Sequence, residues 1–483
     1  MSHPILRRVA VAFSGALLLT HCAQNPVSGS KDFVLMSESQ EIQQGAQAHR
    51  EVLQQYGVVN DPQLQAYVNR IGKGLAAKSH RPGLNWHFTV VDSPEVNAFA
   101  LPGGYVYITR GIMAYLNSEA ELAGVLGHEI AHVTARHGVR QQSTATAVGL
   151  GAILGSILVP GLNSQAGSSL LQALSQSLVA GYGREHELEA DRLGAEYLAR
   201  TGYNPQAMVE IIGVLKNQEL YDIELARQEG REPRRYHGVF DTHPRNDARL
   251  KQVVGEAKKY QVANPVENRD AYLKVMNGMY FGDSPDQGVI RNNALLHEKL
   301  GIAVQFPQGW RVRNQPDRVT AVHPQGTALV ELKPGPKNTP PMDTLRQGLK
   351  FDQGARFESG NVNGHPAAFA AGALQGKPVL AAAINHNGNP YLIAALARDA
   401  DAYSRHRNEM KAAINSFHTI TREERQKARP YVIHVIQAQA GTSMAQLAAQ
   451  SPLGKSAEAQ LRLMNDLYPA GEPRPGQMIK TIQ

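Results

Sequence analysis

The stretch His128-Glu129-Ile130-Ala131-His132 decides the fold of this chain, because its two histidines can act together only if the stretch is helical. Ser118 and Glu121 have the spacing of a capping box, which predicts a helix that begins here, runs through His137 and ends near Gly138. Side chains four residues apart lie on one face of a helix, so both imidazoles point to the same place. Paired imidazoles are preferred zinc ligands, and the glutamate between them lies where it can activate a water molecule.

The residues around this stretch indicate that its helix is partly buried. Ala123, Val125, Leu126 and Val133 are apolar. Buried polar side chains need partners, and a metal ion would supply one. The pattern by itself arises by chance on the order of once in thirty chains of this composition. The apolar neighbours are therefore needed as further support for a metal site.

The stretch does not identify a third ligand. A metzincin would have histidine where Gly138 stands, which excludes that class, and His137 lies on a different helical face. We expect His137 to be a cation at the helix end, where the helix dipole favours it. In the segment Glu187-Leu188-Glu189-Ala190-Asp191, Glu187 and Asp191 share a helical face, so Glu187 can bind a metal and Asp191 can orient a ligand imidazole. In isolation this segment is more typical of a solvated acidic face.

Together with two further motifs, these patterns resemble the HtpX-type and CAAX-prenyl-endopeptidase family of gluzincin zinc metallopeptidases. Asn97-Ala98-Phe99-Ala100 and the Leu-Pro-Gly-Gly turn that follows are similar to the edge strand of that family. His243-Pro244 and Arg249 match its downstream His-Pro and Arg motif. The resemblance covers about residues 24–255 and implies a mainly α (α+β) metalloprotease domain with a short sheet.

The resemblance also implies a zinc metalloendopeptidase with one Zn²⁺ per chain. Glu129 would be the general base on the zinc-bound water, and Asp191 would support the site from outside it. His243 and Arg249 would help to stabilise the oxyanion, or His243 would occupy the open coordination position and keep the enzyme latent. A structural turn and an ion pair are the alternative for these two residues. The implied zinc ligands are His128, His132 and Glu187.

The implied substrate site is the strand edge formed by Asn97, Ala98, Phe99 and Ala100. An extended peptide can pair with such an edge through its backbone, which favours unfolded or misassembled cell-envelope proteins as substrates. The alternative is a catalytically silent or latent envelope lipoprotein that acts as a chaperone or a peptidoglycan-binding module. Loss of a residue of the zinc site would have favoured that alternative, and none is lost.

The N-terminus has the pattern of a secretory signal. Arg7 and Arg8 precede an apolar run over residues 9–20, which is too short for a membrane-spanning helix. Leu19-Thr20-His21-Cys22 resembles the lipobox of bacterial lipoproteins, in which the cysteine is acylated, although His21 stands where a small residue is usual. The expectation is a periplasmic protein anchored to the outer membrane through Cys22; a plain signal peptide is the alternative.

Changes in composition predict a multidomain chain. In the tail from about Tyr431, Gly441-Thr442-Ser443 precedes one predicted helix, Asn465 follows a second, and Pro475-Gly476-Gln477 precedes a final strand. This pattern resembles a LysM module of βααβ form, which would bind peptidoglycan, and a plain docking domain is its alternative. Residues 144–181, rich in Gly, Ala, Ser and Leu, form either a flap of two short helices or small-residue core packing. The predicted segments are 1–22 (signal peptide), 23–260 (metallopeptidase), 261–290 (connection), 291–420 (an α+β module of unknown role) and 428–483 (LysM-like).

The charge of the chain does not indicate a nucleic-acid partner. The net charge is +7 over 483 residues, but the basic residues are scattered and have no interleaved aromatic residues. A basic protein of this kind is suited to a place beside anionic lipid or cell-wall polymer. Because Cys22 is the only cysteine, no intrachain disulfide can form.

Overall fold

The computed structural model describes residues 22–144, 182–228, 253 and 255–483. The expected signal peptide up to residue 21, residues 145–181 of the expected flap, His243 and Arg249 lie outside the described residues. The chain forms two compact units. The first contains residues 1–53, 58–279 and 433–483, and the second contains residues 54–57 and 280–432. Within the described ranges, no helix is both long and apolar enough to span a bilayer.

The first unit is mainly helical. A helix spans residues 38–56, and the next one begins after Asp61, whose carboxylate accepts hydrogen bonds from the backbone N–H groups of Gln63 and Leu64. Its elements up to residue 279 are β1 Cys22–Gln24, β2 Lys31–Phe33, α1 Glu38–Tyr56, α2 Pro62–Ala76, β3 His87–Val91, β4 Ala98–Leu101, β5 Tyr105–Thr109, α3 Arg110–Tyr115, α4 Glu119–Thr134, α5 Arg184–Arg200, α6 Ala207–Gln228 and α7 Arg269–Met276.

A short sheet in the order β3-β5-β4 supports the central helix α4. Strand β5 is parallel to β3 and antiparallel to β4, so β4 is an edge strand in the described part of the chain. Alternate residues of β3 and β5, among them Phe88, Val90, Val106 and Ile108, are buried. The sheet therefore fixes β4 beside α4.

Helix α4 is buried along its whole length and is shorter than the sequence predicts. Ser118 caps its start as expected, but the helix ends at Thr134 instead of continuing through His137. Arg136 has a left-handed backbone with φ of 56°. Its guanidinium donates hydrogen bonds to Glu41 Oε2 at 3.0 Å and to the backbone oxygen of Met36 at 3.1 Å. These contacts tie Arg136 to a distant part of the chain, and residues 137–144 form a separate helical segment.

The second unit has the α+β character expected for the module at residues 291–420. Its main sheet is antiparallel, in the order β10-β11-β12-β16-β15-β14-β13. Buried residues of this sheet pack on both faces, against α9 on one side and α8 on the other. The elements of the unit are β6 Tyr280–Phe281, β7 Val289–Arg291, β8 Ala294–His297, β9 Ile302–Gln305, β10 Arg311–Gln315, β11 Arg318–Val322, β12 Ala328–Pro334, α8 Pro341–Gly348, β13 Arg356–Val362, β14 His365–Leu374, β15 Lys377–His386, β16 Asn389–Ala397, α9 Ala400–Asn415, β17 His418–Thr419 and α10 Arg422–Lys427.

The C-terminal tail has the βααβ order that its sequence predicts. Its elements are β18 Tyr431–Gln437, α11 Met444–Gln450, α12 Ala457–Met464 and β19 Met478–Ile482, and β19 pairs antiparallel with β18. Residues 433–483 belong to the same compact unit as the metallopeptidase region. The fully buried amine of Lys480 donates to the backbone oxygen of Ala114 at 2.8 Å, and Tyr115 Oη donates to Gln460 Oε1 at 2.8 Å. The tail therefore packs against α3, next to the central helix.

Candidate metal centre

Two imidazoles from α4 and one carboxylate from α5 meet in the interior of the first unit. His128 Nε2 lies 3.0 Å from His132 Nε2. Glu187 Oε2 is 3.6 Å from His128 Nε2, and Glu187 Oε1 is 3.4 Å from His132 Nε2. Among the described residues, this is the only group of three His, Cys, Asp or Glu side chains whose ligand atoms lie within 4.8 Å of one another. Two nitrogens and one oxygen that converge in this way fit a zinc ion with a further coordination position.

The close approach of α4 and α5 brings these ligands together. Gly127 and Gly194 face each other where the helices cross: a Cβ atom on Gly127 would lie 3.5 Å from Gly194 Cα, and one on Gly194 would lie 3.3 Å from the backbone nitrogen of His128. Without side chains at this crossing, α5 lies directly against the helix turn that carries His128. Glu187 and Asp191 can then reach the imidazoles from buried positions.

Asp191 lies where the sequence predicts it, behind the first imidazole. Its Oδ1 atom is 3.0 Å from His128 Nδ1, so it can fix the orientation of the ring while Nε2 points to the metal position. Burial opposes a charge on His128, but the hydrogen bonds and charges of Asp191 and Glu187 outweigh it and raise the pKa of His128 to about 9. A metal ion at Nε2 would therefore have to replace a proton.

Glu129 faces a cleft beside the metal position. Ala98 of β4 and His128 also line this cleft. Its remaining walls are apolar and come mainly from α6. Glu129 is buried in α4. The geometry therefore places a carboxylate, a strand edge and an apolar surface around one space that a peptide could enter.

The residues predicted to bind substrate lie at the edge of the sheet. The strand begins at Ala98, one residue later than expected, and Asn97 precedes it with its backbone nitrogen 3.2 Å from Thr109 Oγ1. The side chains of Ala98, Phe99 and Ala100 are buried. Only the backbone edge of this strand is therefore suited to pair with an extended peptide.

His137 was expected to be a cation at the helix end, and this expectation is wrong. The structure buries His137 completely. Its Nδ1 lies 2.9 Å from His132 Nδ1, and its Nε2 lies 3.0 Å from Glu189 Oε2. Burial lowers the pKa of His137, and the hydrogen bond with His137 lowers the pKa of Glu189. Both residues lie behind His132, and no local pattern of the sequence indicates this, because the two rings meet only where the helix breaks at Arg136.

Tyr182 is a second residue that sequence reasoning missed. Its ring stacks on His132 with 4.0 Å between the ring centroids and 15° between the planes. Burial and the negative charges of Glu129 and Glu187 raise the pKa of its hydroxyl group far above the usual value. Tyr182 immediately precedes the cap of α5, and no local pattern distinguishes it from an ordinary loop residue.

The fold and this site define a metallopeptidase domain: a buried helix with two imidazoles one turn apart, a carboxylate ligand from a second helix, and a glutamate between the imidazoles. Residues 62–257 match the family model described as Peptidase family M48, so this part of the chain is similar to that family. The finer assignment to the HtpX and CAAX-prenyl-endopeptidase branch stays a prediction.

Three relatives illustrate the similarity. The beta-barrel assembly-enhancing protease of Escherichia coli (strain K12) is 33% identical over 264 residues, which cover 53% of this chain and 52% of the relative. The protein of the same name from Yersinia pestis is 32% identical over 302 residues, 59% of each chain. The mitochondrial metalloendopeptidase OMA1 of Schizosaccharomyces pombe is 32% identical over 200 residues, 41% of this chain and 58% of the relative. The chain therefore spans little more than half the length of these relatives.

Proposed function

We propose that this chain is a zinc-dependent metalloendopeptidase that hydrolyses peptide bonds in unfolded or misassembled cell-envelope proteins. The observation that carries the proposal is the convergence of His128, His132 and Glu187 on one point, with Glu129 facing the adjoining cleft. The name of the bacterial relatives, which refers to the assembly of β-barrels, supports a substrate in the cell envelope.

The residues of the chain have distinct tasks in this reaction. His128, His132 and Glu187 would hold the zinc ion, which supplies a Lewis acid and lowers the pKa of water to about 7. Glu129 accepts the proton of the attacking water and then donates it to the amine that leaves. Because Glu129 is 2% exposed, little bulk water competes for this proton. Asp191 keeps the His128 ring turned towards the metal position.

The substrate would lie along the edge of β4 that is opposite β5. Ala98 lines the same cleft as Glu129, so a peptide paired with β4 would pass beside the base. Pairing through the backbone requires an extended chain and places few demands on its sequence. This requirement favours unfolded proteins over folded ones, and the apolar wall of α6 favours apolar side chains.

Other parts of the chain have proposed roles that rest on the sequence. His243 would gate the zinc position and Arg249 would stabilise negative charge during the reaction. A lipid on Cys22 would anchor the enzyme to the outer membrane on its periplasmic side. The LysM-like segment 428–483 would bind peptidoglycan. The module at residues 291–420 would have a binding or scaffolding role.

Bound zinc and proteolysis, measured on the same full-length protein, test the proposed function. We expect about one zinc ion per chain, cleavage of unfolded casein, and loss of cleavage on chelation with recovery when zinc is added back. Zinc-loaded protein that leaves unfolded casein intact would support the second candidate, a silent or latent lipoprotein with chaperone or wall-binding activity. Replacing His243 distinguishes a latent enzyme from a catalytically silent protein, because only the latent enzyme would gain proteolytic activity.

A further inference from the structure

A chain of hydrogen bonds lies behind the second imidazole of the site. His132 Nδ1, which faces away from His128 and Glu187, is 2.9 Å from His137 Nδ1. The other nitrogen of His137 is 3.0 Å from Glu189 Oε2, and Arg140 approaches the same oxygen at 3.4 Å. The two histidines are 2% and 0% exposed, so no solvent replaces these contacts. His132 therefore has a buried partner of its own, separate from Asp191.

The fold places His137 there only because α4 is interrupted. In a continuous helix, His137 would point about 140° away from His132, since each residue turns the helix by about 100°. The left-handed backbone of Arg136 redirects the chain and brings the two rings to 4.9 Å between centroids. Glu41 holds Arg136 in this conformation through a buried ion pair at 3.0 Å. Non-glycine residues rarely adopt this backbone conformation, so the surrounding contacts must stabilise it.

The hydrogen bonds agree with one arrangement of protons. A histidine that binds a metal through Nε2 carries its proton on Nδ1, so His132 donates to His137 Nδ1. His137 then has its own proton on Nε2 and donates it to Glu189. In this arrangement each ring carries one proton, each of these two protons has an acceptor, and Glu189 accepts as a carboxylate. We call the hydrogen bonds from His132 through His137 to Glu189 the relay. The relay thus selects the tautomer of His132 that leaves Nε2 available to a metal.

We propose that His137, backed by Glu189, is the positioning residue for His132, in the way that Asp191 is for His128. The inference rests on the proposed zinc site and adds a second positioning contact to it, which differs chemically from that of Asp191. His128 is oriented directly by a carboxylate, whereas His132 is oriented through a neutral imidazole. Ring contacts restrict the relay further, since Tyr182 stacks on His132 and His186 stacks on His137 at 4.3 Å.

The test measures the zinc dissociation constant of the full-length protein by competition with a chromophoric chelator. His137→Phe keeps a flat ring but removes both hydrogen bonds, and we expect zinc binding about 10- to 100-fold weaker. His137→Gln can accept from His132 and donate to Glu189, so it should stay within about threefold of the wild type, on the scale of retained hydrogen bonds. Glu189→Ala should weaken binding, and Glu185→Ala, which changes an exposed glutamate of the same helix, should not.

A second readout separates orientation from general loss of structure. Cobalt in place of zinc gives visible absorption bands that depend on ligand geometry. We expect these bands to shift in His137→Phe even when the protein is saturated with cobalt, and to match the wild type in His137→Gln. Thermal unfolding of the metal-free variants shows which of them are folded, and the pair Glu189→Ala and Glu185→Ala decides the question if His137→Phe does not fold.

The results of these experiments distinguish failure of the relay from failure of the proposed zinc site. Wild-type zinc affinity and an unchanged cobalt spectrum in His137→Phe, or equal affinities in Glu189→Ala and Glu185→Ala, would overturn the relay while the zinc site stands. An equally large loss in His137→Gln and His137→Phe would show that ring shape, not hydrogen bonding, matters, and would also overturn it. A wild-type protein that binds no zinc would remove the proposed function and this inference together.

Discussion

Replacement of Gly45 by alanine should destabilise the first unit through a backbone clash. A Cβ atom at Gly45 would lie 1.9 Å from the backbone oxygen of Pro102 and 3.2 Å from Tyr105 Cδ2. Ordinary contact needs about 3.4 Å or more, so α1 would have to move by more than about 1 Å. Alanine gains about 1 kcal/mol over glycine in helix propensity, whereas overpacking of this kind costs about 1–3 kcal/mol and a backbone clash is at the upper end. We expect a net loss of about 1–2 kcal/mol.

The matched control is Gly74→Ala on α2. No atom lies within 4 Å of the position that its Cβ would occupy, and the residue is exposed in the last turn of the helix. This variant should gain roughly 0.5–1 kcal/mol, because only the propensity changes. Urea unfolding of both variants at neutral pH, followed by circular dichroism, gives the two free energies of unfolding.

Gly45→Ala should also weaken zinc binding at the metal centre. Gly45 lies one helical turn after Glu41, which holds Arg136 in its left-handed conformation. A displaced α1 should loosen this ion pair and weaken zinc binding in Gly45→Ala, with no change in Gly74→Ala. If Gly45→Ala is as stable as Gly74→Ala and binds zinc as tightly, then α1 does not pack against the Pro102 turn as described, and the account of the helix break fails.

Three further predictions follow from single groups. Glu129→Gln should lower the rate of peptide hydrolysis by about 10²- to 10⁴-fold while the zinc content stays the same, because a base is lost and no ligand is; a rate equal to that of Glu185→Gln would contradict this role. Asp191→Asn should weaken zinc binding by about 10- to 100-fold, measured by chelator competition, since the amide supports His128 less well than the carboxylate does; unchanged affinity would count against it. Burial and the charge of Lys299 lower the pKa of His297 to about 4. The unfolded chain binds this proton below its ordinary pKa of about 6.5, so the free energy of unfolding of the second unit should rise by on the order of 3 kcal/mol from pH 4 to pH 6.5. Urea titrations across this range test the slope, which should be smaller in His297→Asn.

Much of the metal site could be predicted from local rules. The two histidines lie four residues apart, Ser118 caps the helix, and apolar neighbours bury it. Glu187 and Asp191 also lie four residues apart on a second helix. Within each pair, helix geometry fixes the relation between the side chains, so the sequence predicts which residues share a face. It does not determine that the two helices meet.

The expectation for His137 was wrong for a reason that applies to other parts of the chain. Helix periodicity assumes that a helix continues until a local signal ends it. Here the signal is Glu41, which lies 95 residues before Arg136 in the chain and binds its side chain. The free energy that stabilises an unusual backbone conformation came from a long-range ion pair, which no window of sequence contains.

The sequence by itself determined the start of the central helix, the side chains that share a face on each helix of the site, the order of strands and helices in the tail, and the identity of the residues that can bind a metal. Each of these follows from contacts between near neighbours in the chain. Only the tertiary structure decided that α5 crosses α4 at Gly127 and Gly194, that His137 turns back beneath His132, and that Lys480 in the tail binds the end of α3. These arrangements depend on close packing and buried ion pairs between distant segments, and such contacts exist only once the chain has folded.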